Sequence, residues 1–220
     1  MRHAAAGFFF ALVLVLGISA QAAELPDFRA TAHTIAIVSV LGDEIDTYGG
    51  TAPVADAGFD AVAEKAIADQ IAADLPGASV RSVSVPRDVF HAQMYPKTGF
   101  GDAGMDKSRA YLLPWAAAHP VDYIVILRKT VGVPFAPSYV KITCFGVSVD
   151  CWGMTAFFNV TVCDGKTLKV VADLSVRDLK WGSIPYGRGE PTPEHLPILT
   201  DDVRAMLASV VPGLVHGVGL

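Results

Sequence analysis

Three carboxylates crowd one short stretch of this chain, Asp43, Glu44 and Asp46 in SVLGDEIDTYGG, residues 39–50. The apolar run Ile35 to Leu41 leads into them and reads as a strand buried on both faces. In a parallel α/β sheet, the loop leaving the carboxyl end of the first strand is a favoured place for chemistry. Carboxylates there could hold a hard divalent cation through their oxygens, or serve a hydrolase as acid and base. The fourth and fifth oxygen ligands a cation needs are not identifiable. The spacing therefore predicts a solvated acidic loop with no metal.

Other residues with chemical potential are more scattered. GFGDAG, Gly99 to Gly104, is a literal G-x-G-x-x-G, but the preceding strand ends at Val85 and Pro96 intervenes. A dinucleotide fingerprint needs its strand immediately before the glycines, so a loop is expected and no cofactor is implied. His33, His91, His119, His195 and His216 stand singly, with no His-x-His or His-x-x-x-His pair. Cys144 and Cys151 bracket FGVSVD, a loop short enough for its ends to meet, whereas Cys163 sits in a strand before Asp164-Gly165. A Cys144–Cys151 bridge, with Cys163 buried outside it, is the first expectation; Cys151–Cys163 is the second, since connectivity does not follow from spacing. No Cys pair has the close spacing of a zinc site. Trp152, Trp181 and Tyr186 flank irregular segments and form a candidate partner surface, half-buried packing being the ordinary role of such rings.

The elements that must position these residues follow from periodicity. From Phe59 the apolar residues fall on one helical stripe, Phe59, Val62, Ala63, Ala66, Ile67, Ile71 and Leu75, broken only by Gln70. Pro76-Gly77 ends that helix. Ser79 to Val85 alternates as a second strand, and a helix shortened or kinked by Pro114 is expected over 106–118. VDYIVILRK, Val121 to Lys129, is the clearest strand. Residues 130–154 read as an irregular insertion. Strands over 155–163 and 167–176 then meet in a tight hairpin at Asp164-Gly165. Residues 180–197 read as a Gly/Pro-rich loop. Thr200-Asp201-Asp202 caps a last helix that Pro212-Gly213 should stop near Val211. The expected fold is α/β with a mixed sheet, β-α-β-α-β followed by a β-hairpin and a C-terminal helix.

Compartment and partner class follow from the ends and the charge. Arg2 and His3, an apolar run from Phe8 to Leu16, and Ala20-Gln21-Ala22 form the pattern of a cleaved export signal, predicted over residues 1–22. Residues 23–220 would then form a single α/β domain, periplasmic or secreted. Without Arg2 the chain carries 16 basic residues against 22 acidic ones. No stretch concentrates Lys or Arg, which argues against nucleic acid, and no later segment suits a transmembrane span. A protein partner is expected.

Two family resemblances bear on function. VSVLGDE resembles the first block of the SGNH hydrolases, which implies a nucleophilic serine where this chain has Glu44; the closing Asp-x-x-His is met by Thr192 and His195. A carboxylate does not replace that serine in acyl transfer, so a periplasmic hydrolase using Asp43, Glu44 and Asp46 is the alternative reading only. The longer resemblance is to periplasmic α/β domains of the TolB N-terminal, CsgG-like and PelC-like envelope proteins. It rests on TIAIVSVLGD, GFDAVAEKAIADQIAADL, HPVDYIVILRK, FFNVTVCDGKTLKVVADLSV and DDVRAMLASVV. It implies a non-enzymatic interaction or assembly-accessory role in the cell envelope, with no catalytic residues to carry over.

Overall fold

The computed structural model describes residues 27–42, 44–47, 50–53, 57–84, 112–129, 140–144, 151–181 and 196–220. It opens with a single helical turn, α1 (Phe28–Thr31), whose first turn is capped by the Asp27 carboxylate accepting from the Ala30 N–H. Strand β1 (Thr34–Ser39) follows, then a short hairpin of β2 (Glu44–Thr47) and β3 (Gly50–Pro53). Helix α2 (Phe59–Asp74) and β4 (Ser79–Ser82) come next. Residues 112–118 form α3, and β5 is Tyr123–Lys129. Strands β6 (Val140–Cys144), β7 (Cys151–Asp164) and β8 (Val170–Trp181) precede the long closing helix α4 (Leu196–Gly217). The α/β class and the mixed sheet agree with the sequence reading.

Among the described residues, eight strands make one sheet in the order β3-β2-β6-β7-β5-β1-β4, with β8 also on β7. The β4-β1-β5 part is parallel, and such strands need cover on both faces. That is why β1 and β5 read as continuous apolar runs. Ile35 and Ile37 of β1, with Tyr123, Val125 and Leu127 of β5, join the larger core beneath α2 and α4. Ala36, Val38, Ile124 and Ile126 join a smaller core on the opposite face, which α3 supplies with Leu112 and Ala116. Strand β7 is the spine of the sheet. Its second half runs antiparallel to β5 and its first half antiparallel to β6, while β8 lines the other flank.

The predicted stripe on α2 is largely the observed one: Phe59, Ala63, Ala66, Ile67 and Ile71 are buried. Full burial of each large side chain contributes roughly 1.5–3 kcal/mol. Gln70, the polar break, instead donates to Asp74 at 2.7 Å. The start of α2 is tied to the end of β1 by Asp60, which accepts from the Ser39 hydroxyl at 2.7 Å and the Leu41 N–H at 3.1 Å. Arg204 of α4 donates to the Ala57 carbonyl at 2.8 Å, fastening the closing helix to the same corner.

Several expectations need correction. The acidic stretch after β1 is not a plain loop, since Glu44 and Asp46 lie in a paired strand. The segment 130–154 is not irregular throughout; 140–144 and 151–154 are strand. The expected second helix over 106–118 is seen at 112–118, and residues 106–111 lie outside the described residues. Finally, α4 begins at Leu196 and runs through Pro212 to Gly217. Proline removes one helical hydrogen bond and crowds the preceding turn. Here the apolar stripe continues past it: Val211, Leu214, Val215 and Val218 are buried in the larger core, and that burial outweighs the local defect.

The β7–β8 connection, expected as a tight hairpin at Asp164-Gly165, spans residues 165–169. The Asp164 carbonyl accepts from the Leu168 N–H at 2.8 Å, and Asp164 N–H donates to the Lys169 carbonyl at 2.9 Å. The left-handed position is Leu168, with φ of 53°, rather than Gly165. Asp164 Oδ1 accepts from the Lys166 and Thr167 N–H groups and from the Thr167 hydroxyl. Partial burial raises the Asp164 pKa, but the bonds from Thr167 and Lys166 outweigh it and hold the carboxyl below its ordinary value.

Candidate functional site

The ladder of β6, β7 and β8 gathers residues that the sequence leaves apart. Met154 of β7 is opposite Trp181 of β8. Position 152 is therefore two residues from the rung that carries Trp181, at the same end of the ribbon. Among the described residues, that end extends past β5, whose pairing is described as far as Lys129 opposite Phe158. Cys144 of β6 is the direct partner of Cys151 of β7, immediately before Trp152. Cys144, Cys151, Trp152 and Trp181 thus share one end of the sheet. Tyr186, the third aromatic of the expected surface, lies outside the described residues.

The carboxylates of the opening stretch are placed differently. Glu44 stands opposite Pro53, and Asp46 lies between Thr51 on one flank and Lys141 of β6 on the other. Asp43 lies outside the described residues, as do Thr192, His195 and Gly99 to Gly104. Among the described residues, no three His, Cys, Asp or Glu side chains converge where they could hold a metal ion.

Two further clusters were missed from sequence. On the sheet face opposite α2 and α4, Arg128 is buried at 6% exposure and donates from Nε to the Thr161 hydroxyl at 3.2 Å. Its guanidinium is 3.7 Å from Asp173 Oδ1. Asp173 also accepts from the Thr161 hydroxyl and, at 3.1 Å, from Asn159 Nδ2. A cation so deeply placed requires a counter-charge and hydrogen bonds, and β5, β7 and β8 each supply part of this set. The only sequence signal was polar residues interrupting otherwise apolar strands.

The second cluster joins α2 to α4. His216 Nδ1 lies 2.9 Å from Asp74 Oδ2, and Gln70 donates to the same carboxylate. The His216 contact, then the Gln70 bond, hold the Asp74 carboxyl below its ordinary value; Arg29 adds a weaker attraction. Asp74 also borders an open cleft of about 620 Å³ with Arg29, His33 and Leu75. The geometry is that of a clasp between two helix ends. Among the described residues, no contact in it presents a nucleophile to the histidine.

No protein-family model matches this chain, and no curated protein matches it. Similar solved structures include a PelC dodecamer from Paraburkholderia phytofirmans, at 15% identity and a TM-score of 0.39, over 88% of this chain and 89% of that one. A point variant of that dodecamer gives 14% identity and 0.35, over 86% and 87%. The lipoprotein GNA1162 from Neisseria meningitidis gives 14% and 0.28, over 80% of this chain and 97% of that one. Each is a low-identity likeness of fold. The PelC-like, TolB and CsgG resemblances remain readings of the sequence. No described helix is long and apolar enough to cross a membrane.

Proposed function

We propose that this chain is an exported cell-envelope protein that binds a protein partner through the outer end of its β6–β7–β8 ladder, without catalysis of its own. The observation that carries the reading is the placement of Trp152 and Trp181 at one end of the β7–β8 ribbon, beyond the described pairing of β5. Tryptophans supply large contact areas and are enriched at protein interfaces. The export pattern of residues 1–22 supports the compartment. The deficit of basic charge supports a protein partner over nucleic acid. Glu44 and Asp46 lie in a paired strand rather than an open loop, so the carboxylates are not assigned a hydrolytic role.

Site-specific photo-crosslinking in cells tests this directly. A photoreactive residue at position 181 should give one discrete adduct with another envelope protein. The same residue at Lys65, exposed on α2, should give none. Equal labelling from both positions, or none from 181, would remove the ladder end as the docking surface. Ester or phosphoester hydrolysis abolished by Glu44→Gln would favour the hydrolase instead.

A further inference from the structure

We propose that Cys144 and Cys151 form a cross-strand disulfide, and that it pins a three-stranded wing, β2, β3 and β6, to the rest of the sheet. The proposal does not rest on the docking reading. It requires only that the chain meet an oxidant of the disulfide class.

Three pairings of the three cysteines are conceivable, and the strand register discriminates among them. Cys151 and Cys163 lie on the same strand, β7, at its first residue and next to its last. Twelve steps of extended chain at about 3.3 Å each separate them by roughly 40 Å, whereas a disulfide needs Cα atoms within about 7 Å. Cys144 is opposite Cys151 and is therefore comparably far from Cys163. Cys163 is opposite Ile124 of β5 and buried in the smaller core, at the other end of the ribbon. Direct partners on antiparallel strands have Cα atoms about 4.5 or 5.5 Å apart, and both spacings fall inside the disulfide range. The two positions sit where the β6–β7 register shifts, just beyond Ile142. Backbone pairing alone holds least firmly at such a point.

The connectivity shows what a bridge here would control. Among the described residues, β3 pairs only with β2, β2 otherwise only with β6, and β6 otherwise only with β7. The wing thus joins the spine through one short ladder, and the bridge would close the end of it. Short ladders at a sheet margin open locally at low cost. A covalent tie there protects the wing and leaves the distant core unaffected.

The chemistry balances with an external disulfide, protein-borne or small. One cysteine thiolate attacks a sulfur of the oxidant, forming a mixed disulfide and releasing the oxidant's other sulfur as a thiol. The second cysteine thiolate then attacks the sulfur of the first and displaces the remaining oxidant thiolate. Both cysteines lose their protons, and two electrons pass to the oxidant, which leaves as a dithiol or two thiols.

The test uses the full chain exported to an oxidising compartment and alkylated before any reduction. Trypsin does not separate the cysteines, because no Lys or Arg lies between Cys144 and Cys163. Combined cleavage at Phe145, Trp152 and before Asp150 and Asp164 does. Peptide mapping should show Cys144 linked to Cys151. Alkylation of both in native protein, or a link from either to Cys163, would overturn the proposal. Hydrogen exchange then tests the pinning on unmutated protein. Mild reduction should speed exchange at 44–53 and 140–144 by roughly ten-fold or more, with β1 and β5 unchanged. Equal exchange in the oxidised and reduced forms would refute the pinning role even if the bridge exists.

Discussion

Gly165 allows a demanding test of how the hairpin is seated. Its backbone lies against the turn before β5, and its N–H donates to the Asp122 carbonyl at 2.8 Å. A Cβ at this position would be 2.1 Å from the Val121 carbonyl oxygen, 2.8 Å from its carbon and 3.0 Å from the Asp122 carbonyl carbon. Non-bonded carbon atoms settle at about 3.5–4.0 Å, so Gly165→Ala must push the turn away by about 1 Å. The neighbour is backbone and is itself held, because Asp122 Oδ2 accepts from the His33 and Thr34 N–H groups. Overpacking against a fixed partner costs roughly 1–3 kcal/mol, and the lost hydrogen bond adds about 1 kcal/mol. A destabilisation of about 3 kcal/mol is expected. At a urea m-value of about 2 kcal/mol/M, the midpoint should fall by about 1.5 M. Gly77→Ala is the control, with a φ of 103° but open space around it; a left-handed position costs a non-glycine residue about 1–2 kcal/mol. Urea unfolding followed by circular dichroism measures both. A Gly165→Ala midpoint within about 0.3 M of the wild type, or above that of Gly77→Ala, would refute the close-approach argument.

Asp173→Ala should destabilise by about 3 kcal/mol, because it leaves the Arg128 guanidinium buried without its carboxylate. Adding Arg128→Met should recover much of that loss, measured as a double-mutant cycle by urea unfolding; an additive cycle would show the pair to be uncoupled. Pro212→Ala, inside α4, should stabilise by about 1–3 kcal/mol by restoring a helical N–H and relieving the clash with the preceding turn. Calorimetry should show a higher Tm, and an unchanged or lower one would mean that the helix is shaped around the proline.

Where local pattern reports burial, the sequence was sufficient. The apolar runs of β1 and β5 and the stripe of α2 are repeats within a single element, and each maps onto the face that the element buries. They determined the class of fold and the main helix and strands of its core. What they could not determine was which distant segment each element would meet. Polar Glu44 and Asp46 form a strand because β3 and β6 pair with it, and nothing in their own spacing announces that. Pro212 marked a helix end by its own chemistry, yet the burial of Leu214, Val215 and Val218 carries α4 beyond it. Gly165 looked like a residue chosen for the conformation of a turn; the structure shows it is required because another backbone passes too close for a side chain. The two missed clusters follow the same logic. Asp74 and His216 are 142 positions apart, and Arg128 meets Asp173 only once β5, β7 and β8 lie side by side. For the cysteines, spacing left two pairings open, and the placement of Cys151 and Cys163 on one extended strand separates them. Short-range periodicity encodes what is buried, whereas strand register and close backbone approach arise from contacts between segments remote in the chain, so only the tertiary structure decided them.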